Sequence, residues 1–270
     1  MTIQITIIRI DDYGQWTLRL GSDREAALQM LQAKIYYDIQ RLFSEVDCLV
    51  YPNRFDEYFA ISNGLSIGKH TAIHKELERL YGALSLSMAI GRGKTPFEAN
   101  LGAYEARKES IALDKRRKIF GLKSLAVPSW NRRQNNSSSN KDKNKNNIVR
   151  IMHIDVNDSA DLSSKLSPYE VTTLVSKIYL GLSQQFLKKG AMTFFIGGDN
   201  FMVILNGTSK TEAKKIIHMV AEDTDIVLNC GIGIGRTGRK AAEAATKALD
   251  TIRVFRKLGK TKPFYEIRCL

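Results

Sequence analysis

The feature that most limits how this chain can fold is an internal duplication. The run TIIRIDDYG places Asp11 at the end of an apolar strand pattern, and VRIMHIDVND does the same with Asp155. Each is followed by an amphipathic helical pattern, LQMLQAKIYYDIQRLF or VTTLVSKIYLGLSQQF, with a shared Lys-Ile-Tyr beginning at Lys34 and Lys177. A hairpin pattern comes next, LVYPNRFDEYFAISNG in one copy and MTFFIGGDNFMVILNG in the other, then a second helix and a strand ending in LSLSMAIGRG or LNCGIGIGRT. The landmarks keep step. Asp11 to Gly91 and Asp155 to Gly235 both span 80 residues, and Asp56 to Gly64 and Asp199 to Gly207 both span 8. Self-similarity at fixed spacing marks a repeated supersecondary unit.

Each copy reads strand, helix, hairpin, helix, strand, with a further helix from about Pro96 in the first and about Lys240 in the second. The order βαββαβ predicts an α+β fold of tandem ferredoxin-like, or palm, units, each an antiparallel sheet with helices on one face. The expected division is 1–125 for the first unit, 126–148 for a linker and 149–270 for the second. The linker expectation rests on SWNRRQNNSSSNKDKNKNN, which has five basic residues, one acid and too few apolar groups to offset its ordering entropy.

At 270 residues and 43% hydrophobic content, both units have enough apolar material for a core. No apolar run reaches the ~18 residues of a membrane span, and MTIQITIIRIDDYG reads as a first strand, not as a signal peptide. Cys48, Cys230 and Cys269 are scattered, which suggests neither a disulfide framework nor a CxxC site. A cytoplasmic enzyme or binding protein without membrane partners is expected. The formal charge of +13 attracts polyanions, among which nucleotides and phosphates are favoured over nucleic acid.

The palm topology brings the acid that ends the first strand beside the acid at the hairpin tip. Two carboxylates that close repel unless a cation lies between them, and an all-oxygen donor set suits Mg²⁺ or Mn²⁺. Asp155 and Asp199 are the preferred catalytic and metal-binding pair, because the second hairpin keeps Gly197 and Gly198, whose lack of Cβ lets a triphosphate approach. Asn200 is counted with Gly197 and Gly198 among the nucleotide-binding residues, and the plainer account of Gly197, Gly198, Asp199 and Asn200 is a good hairpin turn. In the first copy Arg54 and Phe55 stand where the glycines would be, so Asp11 is kept as a further metal ligand but that copy is expected to be degenerate or to lend residues across an interface. Val156, Asn157 and Asp158, leading into a helix, suit phosphate binding. Arg236 is also placed to reach an anion, as are Lys247 and Arg253, although exposed helical cations are usually just solvated. Tyr13 and Trp16 are candidates for stacking on a base, against ordinary packing at a strand end. GIGIG most resembles a strand needing close backbone approach. His70 and His74 have helical zinc spacing but no third ligand, so they are expected to be surface or half-buried helix residues. His153 has no triad context.

The strand-one acid and GGD hairpin resemble the palms of nucleotidyl cyclases, GGDEF diguanylate cyclases and polymerases, which hold nucleoside triphosphates through two Mg²⁺ ions. The duplication, IDDYGQWT, FFIGGDNFM and GIGIGRT together resemble the archaeal GTP cyclohydrolase III family over nearly the whole chain. That resemblance implies hydrolysis of GTP to 2-amino-5-formylamino-6-(5-phosphoribosylamino)pyrimidin-4(3H)-one and two phosphates, for flavin and deazaflavin synthesis. It also implies Mg²⁺, a monovalent activator such as K⁺, and a homotetramer. Two metals would polarise phosphoryl oxygens and activate a water. A cyclase or diguanylate cyclase relative, and a noncatalytic nucleotide-binding protein, remain the alternatives.

Overall fold

The computed structural model describes residues 2–113, 118–121, 148–157, 162 and 164–269. They fall into two compact units, one running through Gly93 and resuming at Glu98, the other made of Lys94–Phe97 and the chain from Ile148 onward. Apart from its last residue, the expected linker lies outside the described residues, as does Asp158.

The first unit runs β1 (Ile3–Ile10), α1 (Tyr13–Leu18), α2 (Glu25–Ser44), β2 (Leu49–Arg54), β3 (Glu57–Ile61), α3 (Ile67–Leu80), β4 (Leu86–Gly93), α4 (Pro96–Leu113) and β5 (Ile119–Gly121). The second runs β6 (Val149–Val156), α5 (Pro168–Leu187), β7 (Met192–Gly197), β8 (Asn200–Ile204), α6 (Lys210–Thr224), β9 (Leu228–Gly235), α7 (Gly238–Lys257) and β10 (Phe264–Cys269). Helix starts are written locally. Ser167 and Glu170 form a capping box with Pro168 in the first turn of α5, and Ser209 and Glu212 do the same for α6.

The sheet orders are β2-β3-β1-β4-β5 and β7-β8-β6-β9-β10, the expected βαββαβ arrangement in both units. Each gains an edge strand the sequence pattern did not reveal. β5 pairs parallel to β4 and β10 parallel to β9, so the sheets are mostly but not wholly antiparallel.

The helices also occupy both faces of the second sheet, not one. Met152, Ile154, Val156, Val203 and Ile232 share a core with Ile178 and Leu182 of α5 and Ile216 and Ile217 of α6. Strand residues alternate between faces, and on the opposite face Gly231, Gly233 and Gly235 meet the backbone of α7. A Cβ added to Gly233 would lie 2.0 Å from Ala241 O and 2.2 Å from Ala245 N. The close backbone approach expected of GIGIG is therefore present, with Ala241, Ala244, Ala245 and Ala248 buried beneath the helix.

The strand registers change how the two copies correspond. Arg9 of β1 lies between Glu57 and Ser87, whereas Asp155 of β6 lies between Asn200 and Asn229. The next place on that face belongs to Asp11 in one copy, its N–H donating to Ser85 O, and to Asn157 in the other, its N–H donating to Val227 O. Gly93, not Gly91, matches Gly235, since it meets Ala99 as Gly235 meets Ala241. The equal spacing of 80 thus pairs landmarks each two residues out of place, and the structural partner of Asp155 is Arg9. At the hairpin the match holds, because Arg54–Glu57 and Gly197–Asn200 close turns with Asp56 and Asp199 in the same place.

No helix among the described residues is long and apolar enough to cross a membrane.

Candidate active site

Asp155 is the penultimate residue of β6, and its pairing partner Asn200 directly follows Asp199 at the hairpin tip. Adjacent strands lie about 4.8 Å apart, so the two acids stand near one another at the same end of the strands, close enough for the Asp199 charge to act on Asp155. Asp155 is buried, and Arg253 of α7 donates to its Oδ2 at 3.0 Å. Burial pushes the Asp155 carboxyl above the ordinary range; the Arg253 bond and charge pull it down, and the Asp199 charge pushes it further up. Asp199 Oδ1 accepts from Asn200 Nδ2 at 2.8 Å, while Asp199 Oδ2 is buried without a hydrogen-bond partner. An unpartnered buried carboxylate oxygen is costly. A cation shared with Asp155 would remove that cost.

The tip can be this open because Gly197 and Gly198 adopt positive φ, 109° and 62°, and a Cβ on Gly197 would touch nothing within 4 Å. Arg54 and Phe55 are not among the positive-φ residues, so the first hairpin turns differently. Beside the second tip lies a cavity of about 410 Å³ whose lining includes Val156, Val171, Val175, Ile178, Gly198 and Asp199. Its walls are chiefly apolar and its acidic corner is Asp199.

Several expected residues are placed otherwise. Arg236 follows the end of β9 that pairs with Val149, whereas Asp155 pairs with Asn229 at the other end. Six residue steps along the strand separate these ends, roughly 20 Å, so Arg236 does not reach the acidic pair. Asn157 Oδ1 accepts from Asn229 and from Arg256. Lys247 is exposed and pairs with Glu243. Asp11 belongs to the first unit, where Ser87 (2.7 Å), Ser85 (3.1 Å), Lys118 (2.9 Å) and Arg107 (3.1 Å) occupy its carboxylate. That carboxylate is thus held by four protein donors. Tyr13 and Trp16 are in the same unit, half-buried against its core, with Tyr13 Oη accepting from Gln32 Nε2. This favours packing over base stacking. His70 and His74 are buried, not surface residues; His70 engages Thr6 and Ser66, and His74 engages Leu86 O.

Burial opposes ionisation of Asp11, but its bonds to Ser87, Lys118 and Arg107 leave its pKa below the ordinary value. A lowered folded pKa contributes stability that is full above about pH 4 and is lost as pH falls through the folded value. Asp11→Asn is therefore expected to be less stable than the parent chain at pH 7, with the difference shrinking below about pH 4. Urea unfolding across pH 3–7 measures this, and a difference independent of pH would contradict it.

Two residues at the second site were undervalued in the sequence. Arg253 reaches an anion, and the anion is Asp155. His153 lies two residues before Asp155 and thus on the same strand face; its Nε2 is 3.0 Å from Asn200 Oδ1 and its Nδ1 3.1 Å from Thr246 Oγ1. Burial lowers the pKa of His153, against a smaller upward pull from Asn200.

Two βαββαβ sheets, one with paired acids and open glycines at its edge, define a tandem palm protein. The chain belongs to the GTP cyclohydrolase III family, whose model matches residues 3–263. It is 35% identical to GTP cyclohydrolase III of Methanobrevibacter smithii over 93% of this chain and 94% of that protein. Against the enzyme of the same name from Methanocaldococcus jannaschii it is 36% identical over 93% and 88%. A solved GGEEF diguanylate cyclase domain from Vibrio cholerae is 11% identical, covering 48% of this chain and 89% of that one with a TM-score of 0.37.

Proposed function

We propose that this enzyme hydrolyses GTP at the Asp155–Asp199 edge of its second unit. The product would be 2-amino-5-formylamino-6-(5-phosphoribosylamino)pyrimidin-4(3H)-one. One water adds across the C8–N9 bond of guanine with the formyl group retained, and one water cleaves each phosphoanhydride, releasing two phosphates. The family and the shared name of its relatives support the substrate and reaction class. The observation that carries the location is the buried, unpartnered Oδ2 of Asp199 beside Asp155.

Among the described residues no group of three or more His, Cys, Asp or Glu forms a metal cage. Two carboxylates suit Mg²⁺, which commonly takes one or two carboxylates and completes its shell with water and substrate phosphate. Bound at Asp155 and Asp199, two Mg²⁺ ions would supply Lewis-acid polarisation of phosphoryl oxygens. The chain's own groups do the rest. Gly197 and Gly198 leave room for the polyphosphate, and the apolar cavity lined by Val171, Val175 and Ile178 receives the base away from water. Arg253 offsets the charge of Asp155. A monovalent activator such as K⁺, a homotetrameric assembly and supply of product to flavin and deazaflavin synthesis belong to the same proposal.

Incubation with GTP and Mg²⁺ tests it. Free phosphate with the ultraviolet spectrum of a ring-opened product is expected. Pyrophosphate with a cyclic nucleotide would indicate a cyclase, and unchanged GTP a binding protein.

A further inference from the structure

Three side chains tie the tip carboxylate to the helix on the far face of the sheet. Asn200 Nδ2 donates to Asp199 Oδ1 at 2.8 Å, which leaves Asn200 Oδ1 as an acceptor. His153 Nε2, 3.0 Å away, must then carry the proton and donate to it. In a neutral ring Nδ1 is the acceptor, and Thr246 Oγ1 of α7 donates to it at 3.1 Å. The three bonds therefore run in one direction, and their end is the oxygen geminal to the unpartnered Oδ2 of Asp199.

The first unit supplies an internal control. By register, the places of His153, Asn200 and Thr246 are held there by Ile7, Glu57 and Tyr104, and the place of Asp155 by Arg9. None of these can build the same chain of bonds. The relay occurs only in the copy that has the acidic pair.

We infer that His153, acting through Asn200 and anchored by Thr246, is a positioning residue that holds Asp199 with Oδ2 turned toward the cation. This rests on the proposed metal site at Asp155 and Asp199. Asn200 is accordingly a support for the carboxylate and not a nucleotide contact. Outer-shell partners of this kind orient a ligand and cost roughly 10- to 100-fold in metal affinity when removed.

The test is Mn²⁺ titration of the full chain followed by water-proton relaxation, with thermal unfolding and the KM and kcat for GTP measured in parallel. His153→Leu removes the donor at similar bulk, Thr246→Val removes the anchor, and His153→Gln restores an N–H near the Nε2 position. His153→Leu is expected to weaken Mn²⁺ binding by about tenfold, and Thr246→Val by less. His153→Gln is expected to recover most of the loss. Unchanged Mn²⁺ affinity in His153→Leu, or a His153→Gln variant as impaired as His153→Leu, would overturn the relay. Asp199→Asn serves as the control for the site. Parental Mn²⁺ affinity in that variant would overturn the site and the relay together, whereas loss there with His153→Leu unaffected would overturn the relay alone.

Discussion

Asp199→Asn is expected to lower kcat for GTP hydrolysis by at least about a hundredfold while leaving the fold intact. The substitution conserves shape, but it replaces one acceptor oxygen by an N–H donor group and removes the charge. The affected site already has a buried oxygen with no partner inside the protein. Nothing internal is lost at Oδ2, so folding is not expected to suffer; what is lost is the pull on a cation. Asp155→Asn should be comparably damaging and should also release Arg253, which now bonds Asp155 at 3.0 Å. Asp56→Asn offers the contrast. Asp56 occupies the same hairpin place as Asp199, but its strand-one neighbour is Arg9 where the other unit has Asp155. It is paired instead with Arg54 at 3.2 Å, an ion pair whose arginine is mostly exposed and which contributes little. Steady-state rates of the three variants check this, and equal losses in all three would contradict a single competent site.

The second large effect concerns stability. Gly233→Ala is expected to destabilise the chain by about 3 kcal/mol, the upper part of the usual range for overpacking. The new methyl would meet Ala241 O at 2.0 Å, Ala245 N at 2.2 Å and Ala244 C at 2.9 Å. All three are backbone atoms of one helix, so no side chain can rotate away and α7 itself must lift. Arg253 and Thr246 both lie on α7, so this change should also loosen the contacts to Asp155 and His153. Gly14→Ala is the matched comparison, since nothing lies within 4 Å of its added methyl. It should be close to neutral. Urea unfolding distinguishes the two, and similar midpoints would contradict the close packing of β9 on α7.

Much of the architecture was legible because it rests on local pattern. Alternating apolar residues, caps such as Ser167 and Ser209, and the glycines of GIGIG each specify local structure. Their duplication made the βαββαβ order readable twice. The edge strands β5 and β10 were not legible, because FYEIRC and the short IFG have no alternation strong enough to distinguish them from loop. The face of α7 was missed for a related reason: its buried surface is almost all alanine, and its partners are glycines without side chains to show a hydrophobic stripe.

The site was legible in its acids but not in their equivalence. Shared dipeptides pointed to Asp11 as the counterpart of Asp155, yet hydrogen-bond register, which sequence spacing does not encode, assigns that place to Arg9. Arg236 looked well placed because it follows a glycine-rich strand, although the direction of β9 carries it to the wrong end of the sheet. His153 could have been noticed from its position two residues before Asp155, since period two puts both on one face. Its partners Asn200 and Thr246 are 47 and 93 residues away, and only the folded sheet and helix bring them together.

The second unit alone is expected to hold the metal and the triphosphate. Crystals grown with Mn²⁺ and a GTP analogue whose phosphate bridges are methylene groups test it most directly, through the anomalous scattering of manganese. The predicted result is manganese bound between Asp155 and Asp199, with the analogue's phosphates over Gly197 and Gly198 and no manganese at Asp56 or Asp11. Manganese at Asp11 or Asp56 with none at Asp155 and Asp199 would contradict it.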